Sequence, residues 1–170
     1  MGYIHDVAMS QWIPPSMFLF NAGTWTPAAA AGNLWSVIRT AADADFWAYI
    51  PIVIPSNAVA SKGSYLKSIE VMYSIVTAAL DDFADVGLWK DTFSADGSVN
   101  VPAVVAMTID TAHDTAAERK AVDEHRMVLT LDTPAWIDNE EAYHADLLLD
   151  AAATSVVQFY GALINYTLRL

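Results

Sequence analysis

The sequence predicts an all-β protein, a single antiparallel β-sandwich of about eight strands. Two observations favour this fold. Several segments alternate residues of two faces with a period of two, as β-strands do. Turn signals such as Lys62-Gly63-Ser64 and Asp96-Gly97 separate these segments, and none has the length and periodicity of an ordinary helix. A chain of 170 residues is expected to form one domain.

The predicted strands follow one another from residue 34 to the C-terminus. The segment 45–54 is apolar on both faces, which is typical of a strand covered on both sides. The clearest alternation runs from Ile69 to Ile75. A helix is the alternative there, because residues 65–76 also show three- and four-residue apolar spacing, but the β-branched content favours a strand. The remaining predicted strands are residues 34–40, 86–93, 99–109, 126–132, 143–150 and 155–168.

Two local features are predicted in addition to the strands. Gly161 lies inside the last segment, where a glycine indicates a bulge or a close approach of another part of the chain. Residues 111–124 interrupt the alternation and carry many charges. Thr115 and Glu118 have the spacing of a capping box, so this region is predicted to be a surface loop with one or two helical turns.

The first 33 residues are predicted to form an N-terminal arm, with the sandwich spanning residues 34–170. Pro14-Pro15 and an alanine run at 28–31 make the arm a poor continuous strand or helix. Residues 17–20 are nevertheless apolar, and burying each such side chain is worth roughly 1.5–3 kcal/mol. We expect them to dock on a neighbouring subunit, with packing inside their own domain as the alternative. The predicted interface residues are Trp12, Met17, Phe18, Phe20 and Trp25.

The composition indicates self-association. Hydrophobic residues make up 55% of the chain and charged residues 16%, so part of the surface has to be apolar or uncharged. A homo-oligomer is expected, with a trimer as the first hypothesis. The net charge of −12 argues against direct binding of nucleic acid. Without an apolar run of about 20 residues or a basic leader, neither a membrane span nor a secretory signal is expected.

No catalytic, metal or cofactor site is predicted, and the protein is expected not to be an enzyme. The pairs His113-Asp114 and Asp123-Glu124-His125 could bring two imidazoles and carboxylates together, but they lack the short spacing of known zinc motifs, so a solvated loop is the preferred interpretation. Motifs for a serine nucleophile or a phosphate-binding loop are missing. Glu140-Glu141, and Asp146 with Asp150, could supply paired carboxylates for glycoside hydrolysis, but Asp146 and Asp150 have the parity of the outward face of a strand. Asp43 with Asp45, and Asp81-Asp82 with Asp85, could ligate calcium, but they lack the spacing of a known calcium loop, so turns are the preferred interpretation.

The chain has six tryptophans, which suggest an alternative function. Trp89 and Trp136 lie near predicted loops and are the candidate ligand contacts, for example with a sugar. Trp35 and Trp47 lie within predicted strands, so a core or interface position is expected for them. On this alternative the protein is a carbohydrate-binding or adhesion module.

Three parts of the chain resemble jelly-roll structural domains of viral and phage-like particles. They are residues 63–71 (GSYLKSIEV), residues 129–134 (LTLDTP) and the closing segment 151–167 with Gly161 and Tyr166. The resemblance implies a jelly roll rather than an immunoglobulin-like sandwich, homo-oligomers that are often trimers, and contacts with other particle proteins. It implies a structural subunit of a particle, spike or filament, located on a virion or extracellular particle, and it carries over no catalytic or binding residue.

Overall fold

The computed structural model describes residues 5–29, 35–56, 63–94 and 102–169. Within these ranges the chain forms twelve strands, one 3-10 turn at Pro15–Met17 and one short helix, α1 (Ala116–Arg119), and no helix is long and apolar enough to cross a membrane. The all-β prediction is therefore confirmed. The strands are β1 (Asp6–Ile13), β2 (Leu19–Phe20), β3 (Trp25–Ala29), β4 (Trp35–Arg39), β5 (Ala44–Ile52), β6 (Ser64–Ile75), β7 (Asp82–Thr92), β8 (Ala103–Val104), β9 (Met107–Ile109), β10 (Glu124–Trp136), β11 (Glu141–Ala151) and β12 (Val157–Arg169).

The strands form two antiparallel sheets. Sheet A has the order β3-β4-β12-β6-β10-β9, and β1 also pairs with β12; sheet B has the order β2-β5-β11-β7-β8. Successive long strands alternate between the sheets, and each sheet places a strand from the end of the chain between two earlier ones. The central orders β4-β12-β6-β10 and β5-β11-β7-β8 are those of a jelly roll, which confirms the predicted topology.

The hydrophobic core lies between the sheets and follows the period-two pattern of the strands. Ile69, Val71 and Tyr73 of β6 are fully buried, as are Phe46 and Ile50 of β5. β6 is a twelve-residue strand, so the helical alternative for this segment is wrong. The residues between the buried ones point away from the core and form the outer face of each sheet.

The predicted strand 99–109 is divided in the structure. Ala103–Val104 pairs with β7 in sheet B, whereas Met107–Ile109 pairs with β10 in sheet A. The chain therefore crosses from one sheet to the other at residues 105 and 106. The sequence pattern predicts one continuous strand because its apolar alternation continues across this crossing. The predicted Asp96-Gly97 turn lies outside the described residues.

The predicted capping box is present at the start of α1. The Thr115 hydroxyl oxygen accepts a hydrogen bond from the Glu118 amide at 3.3 Å, and the Glu118 carboxylate accepts one from the Thr115 amide at 3.0 Å. The loop is thus a surface loop with a single helical turn, as the sequence predicted.

Gly161 forms the predicted bulge in β12. The pairing register with β6 shifts between Phe159 and Gly161, and Gly161 has a φ of 132°, a conformation that side-chain-bearing residues rarely adopt. A Cβ atom at this position would lie 2.5 Å from the Trp12 ring and 2.7 Å from the Ile13 carbonyl oxygen. Glycine is therefore required both by the backbone and by the close approach of β1.

The N-terminal segment contributes strands to both sheets of its own chain. β1 pairs with β12 along eight residues, β2 pairs with β5, and β3 pairs with β4. Phe20 stacks on Trp25 with ring centroids 3.7 Å apart, and Phe18 meets Phe159 edge-on at 5.6 Å. This packing corresponds to the alternative of docking inside the same domain, while the proposed boundary at residues 33 and 34 lies outside the described residues.

Candidate functional site

A groove of about 1030 Å³ opens on the outer face of sheet A. Its floor is formed by outward-facing residues of β6 and β12, namely Met72, Ser74, Gln158 and Tyr160. Residues of β1 and β4 border it on one side, and residues 122–126, at the start of β10, border it on the other.

The groove is located where two strands share one edge of β12. β4 pairs with residues 158 and 159 of that edge, and β1 pairs with residues 162–169, with the Gly161 bulge between them. Trp12 is the second-last residue of β1, and Trp35 is the first residue of β4. The ends of the two strands therefore bring two tryptophans to one groove, where they are 46% and 55% exposed.

The polar groups of the floor are held in fixed positions. Gln158 donates from its amide nitrogen to the Ser36 hydroxyl at 2.7 Å, and that hydroxyl donates to the Ala28 carbonyl at 2.7 Å. The Ser74 and Tyr160 hydroxyls share a hydrogen bond of 3.2 Å. Because these groups are oriented before any ligand arrives, a ligand would pay little to order them.

The border opposite β1 and β4 is acidic. Asp123 and Glu124 are exposed there. Arg126 is beside them, but its Nε donates to the Glu70 carboxylate at 2.7 Å, so its charge is paired. The groove therefore presents a net negative charge, which favours neutral or cationic ligands over anionic ones.

The two tryptophans predicted as ligand contacts are placed elsewhere. Trp89 is half-buried on the outer face of sheet B, where its indole nitrogen lies beside Gly87 and the buried Asp146. Burial raises the pKa of the Asp146 carboxyl, an effect that the nearby Trp89 indole opposes. Trp136 packs edge-on against Tyr65 at 4.6 Å and covers Gly63. Neither residue lines the groove.

The five predicted interface residues divide into two groups. Trp12 and Met17 are exposed, while Phe18, Phe20 and Trp25 pack in or against the core between the sheets. Their role in an oligomer stays a prediction. The sequence predicted Trp12 to be an interface residue and not a ligand contact. It placed Trp35 in the core or at an interface, so neither tryptophan was recognised as a groove residue. The sequence signal is local: each tryptophan lies next to a segment rich in strand-breaking or small residues, Pro14-Pro15 and the alanines before residue 33. Such a segment indicates a strand end, but not that the two ends meet at one groove.

The acidic residues that the sequence raised as candidates occur in two settings. Asp43, Asp81 and Asp150 place carboxylate oxygens within 4.8 Å of one another. Burial and the neighbouring carboxylates raise the pKa of Asp150. Glu141 instead accepts hydrogen bonds from Lys90 at 2.9 Å and from the Tyr143 hydroxyl at 3.1 Å, which ties β11 to β7.

Comparison with known proteins yields no matching family model and no matching curated protein. Among solved structures, a carbohydrate-binding module of the β-sandwich superfamily described for its promiscuous specificity is 11% identical, with a TM-score of 0.43, over 96% of this chain and 56% of the other. The carbohydrate-binding and catalytic modules of a Clostridium thermocellum endo-1,4-β-xylanase, in complex with xylohexaose, are 10% identical, with a TM-score of 0.46, over 90% and 26%. A carbohydrate-binding module in complex with β-1,4-galactotriose is 10% identical, with a TM-score of 0.41, over 89% of each chain. The chain thus spans little more than half of the first of these structures and about a quarter of the second.

Proposed function

We propose that the chain is a non-enzymatic carbohydrate-binding module whose ligand occupies the groove between Trp12 and Trp35. The observation that carries the proposal is the pair of exposed indoles beside a floor of oriented hydrogen-bonding groups. Ligand sites in general combine apolar and aromatic walls with a few convergent polar groups. A sugar ring suits this combination, because its C–H faces stack on aromatic rings while its hydroxyls donate and accept hydrogen bonds in the plane of the ring.

The acidic border narrows the ligand class to neutral glycans. A uronic acid or a sulfated sugar would bring its charge towards Asp123 and Glu124 without a free cation from Arg126 to offset it. The groove volume of about 1030 Å³ is at the upper end of ordinary ligand sites, which run from about 300 to 1,000 Å³. A ligand of more than one sugar ring therefore fits.

The proposal is tested by screening the protein against a panel of neutral and anionic glycans and measuring the affinity of any hit by calorimetry. Removing one stacked indole should cost about 1.5–3 kcal/mol, which is at least a tenfold loss of affinity. Trp12→Ala and Trp35→Ala should each show this loss. Trp47→Ala is the matched control, because Trp47 stacks on Tyr49 on the other sheet at 6.1 Å. Absence of any neutral glycan ligand, or equal loss in the control, would contradict the proposal.

A structural subunit of a particle, spike or filament is the second candidate, and the outer face of sheet B favours it. Leu19 in the edge strand β2 is 67% exposed, and Val104 in the opposite edge strand β8 is 69% exposed. Trp47 and Tyr49 lie on the same face. Exposed apolar side chains at both edges of one face suit self-association. Light scattering at micromolar concentration should then detect a homo-oligomer, with a trimer as the first expectation, that Leu19→Lys and Val104→Lys dissociate; a stable wild-type monomer would exclude it.

A further inference from the structure

We propose that His113 and His125 bind a divalent transition-metal ion of the zinc type. The proposal is independent of the groove ligand and rests on the two imidazole rings. His113 follows β9 by four residues, and His125 is the second residue of β10. The two residues are 8% and 9% exposed, and His113 Nε2 lies 3.3 Å from His125 Nδ1.

In each ring, the nitrogen that faces away from the other histidine carries a proton and donates it in a hydrogen bond; we call these the outer nitrogens and the facing pair the inner nitrogens. His125 Nε2 lies 2.9 Å from the Ala121 carbonyl oxygen, which can only accept, so this nitrogen is the donor. His113 Nδ1 lies 2.9 Å from Asp110 Oδ1. The two Asp110 oxygens also accept from the amides of Val128 at 2.6 Å and Ala112 at 3.0 Å, so the carboxylate is an acceptor and His113 Nδ1 is a donor.

These assignments leave two lone pairs facing each other. In neutral imidazoles, His113 Nε2 and His125 Nδ1 are both acceptors, and neither has a proton to give the other. Their separation is nevertheless only 3.3 Å. Two nitrogens bound to one tetrahedral zinc ion at 2.0–2.1 Å are about 3.3–3.4 Å apart. The spacing is therefore that of two ligands on one ion.

The surroundings also match a metal site. Histidines that bind metals generally donate their other ring nitrogen to a carboxylate or a backbone carbonyl, and here Asp110 and Ala121 supply one of each. Arg119 is the positive group nearby, and its guanidinium donates to the carbonyl oxygens of His113, Asp114 and Phe83. The Asp110 carboxylate, in direct contact with His113, offsets that charge.

The site revises one interpretation of the sequence. The structure brings together the two imidazoles of the His113-Asp114 and Asp123-Glu124-His125 pairs, which were assigned to a solvated loop. The carboxylate that serves them is Asp110 rather than either acidic neighbour in those pairs. Two histidines would supply half of a tetrahedral coordination shell, and water from the groove that His125 lines would have to supply the rest. A bound ion would tie the loop after β9 to residues 122–126 at the border of the groove.

The test is a calorimetric titration of the metal-free 170-residue chain with zinc chloride. The wild type should bind one ion per chain and gain thermal stability. His113→Gln and His125→Gln should each weaken binding at least tenfold, whereas His144→Gln should not, because His144 pairs with Asp91 on sheet B. A titration without saturable binding, or one that the two variants leave unchanged, would overturn the proposal.

Nitrogen-15 NMR of the histidine rings tests the same proposal in the wild type, so it does not depend on whether the variants fold. Zinc should shift the resonances of His113 Nε2 and His125 Nδ1 and leave the two outer nitrogens protonated. A proton found between the two inner nitrogens that zinc does not displace would show that the pair shares a proton instead, and would refute the metal site.

Discussion

Replacing Gly161 with alanine adds one methyl group that should disturb both the packing of β1 and the Trp12 wall of the groove. The new methyl group would lie 2.5 Å from the Trp12 ring and 2.7 Å from the Ile13 carbonyl oxygen. The ring can move aside, but the carbonyl belongs to the backbone of β1, which pairs with β12 along its whole length up to Ile13. The substitution therefore has to displace β1 or distort the bulge.

The cost has two parts that the structure allows to be estimated. A φ of 132° is one that alanine rarely adopts, and holding it there costs about 1–3 kcal/mol. Forcing a methyl group into a closely packed contact costs a further 1–3 kcal/mol or so. A change of 1 kcal/mol shifts Tm by about 2–4 °C in a domain of this size, so we expect Tm to fall by on the order of 10 °C.

Thermal unfolding followed by circular dichroism measures this fall in Tm. Repeating Gly161→Ala in the Trp12→Ala variant separates the contribution of the ring contact from that of the backbone. Removing the indole should relieve the ring contact only, so Gly161→Ala should remain destabilising in that background but by less. A Tm unchanged by Gly161→Ala, or a complete rescue by Trp12→Ala, would refute the reasoning. In the wild-type background glycan affinity should also fall, since the displaced ring is a wall of the groove.

Three further perturbations test the electrostatics and the N-terminal segment. Burial opposes ionisation of Asp110, but hydrogen bonds from the Val128 amide and His113 outweigh burial and lower the pKa of the carboxyl. The stabilisation by the ionised carboxylate is present above the unfolded pKa of about 3.9 and is lost as pH falls through the folded value. Asp110→Asn should therefore lower Tm at pH 7 and make Tm depend less on pH at acid pH. Asp146 affects stability in the opposite direction, because burial raises its pKa and stability is lost as pH rises through the folded pKa. Asp146→Asn should raise Tm at neutral pH, and a lower Tm there would contradict the view that the buried charge is destabilising. Deleting residues 1–33 removes β1 and two further strands, so the product should show an unfolded circular dichroism spectrum, and a folded product would show that the segment is a dispensable arm.

The sequence predicted those features of the fold that depend on local rules. Alternation identified the long strands, because one face of each is buried between the sheets. Thr115 and Glu118 identified the capped turn by a spacing of three residues, and Gly161 identified the bulge by its position within a strand. In each of these cases the cause and its consequence lie within a few residues of one another.

The crossing at residues 105 and 106 was missed because side-chain alternation does not record which sheet a strand joins. Ala103 and Met107 keep the same parity, yet they pair with β7 and β10 respectively. The aromatic residues of the N-terminal segment posed the same difficulty. Their apolarity predicted burial, but a partner subunit and the chain's own core satisfy it equally, and only the pairing of β1, β2 and β3 within the sandwich distinguishes the two.

The groove lay beyond sequence reasoning for a related reason. Trp12 and Trp35 are unremarkable as separate residues, one near prolines and one in a strand. They become a site because β1 and β4 occupy successive parts of one edge of β12, and the bulge at Gly161 marks the point where one gives way to the other. The same glycine that relieves the backbone also leaves the space above it that the Trp12 ring fills. The presence of two tryptophans at one groove is thus a consequence of how β1 and β4 divide one edge of β12, while its floor comes from the outer face of β6 and β12.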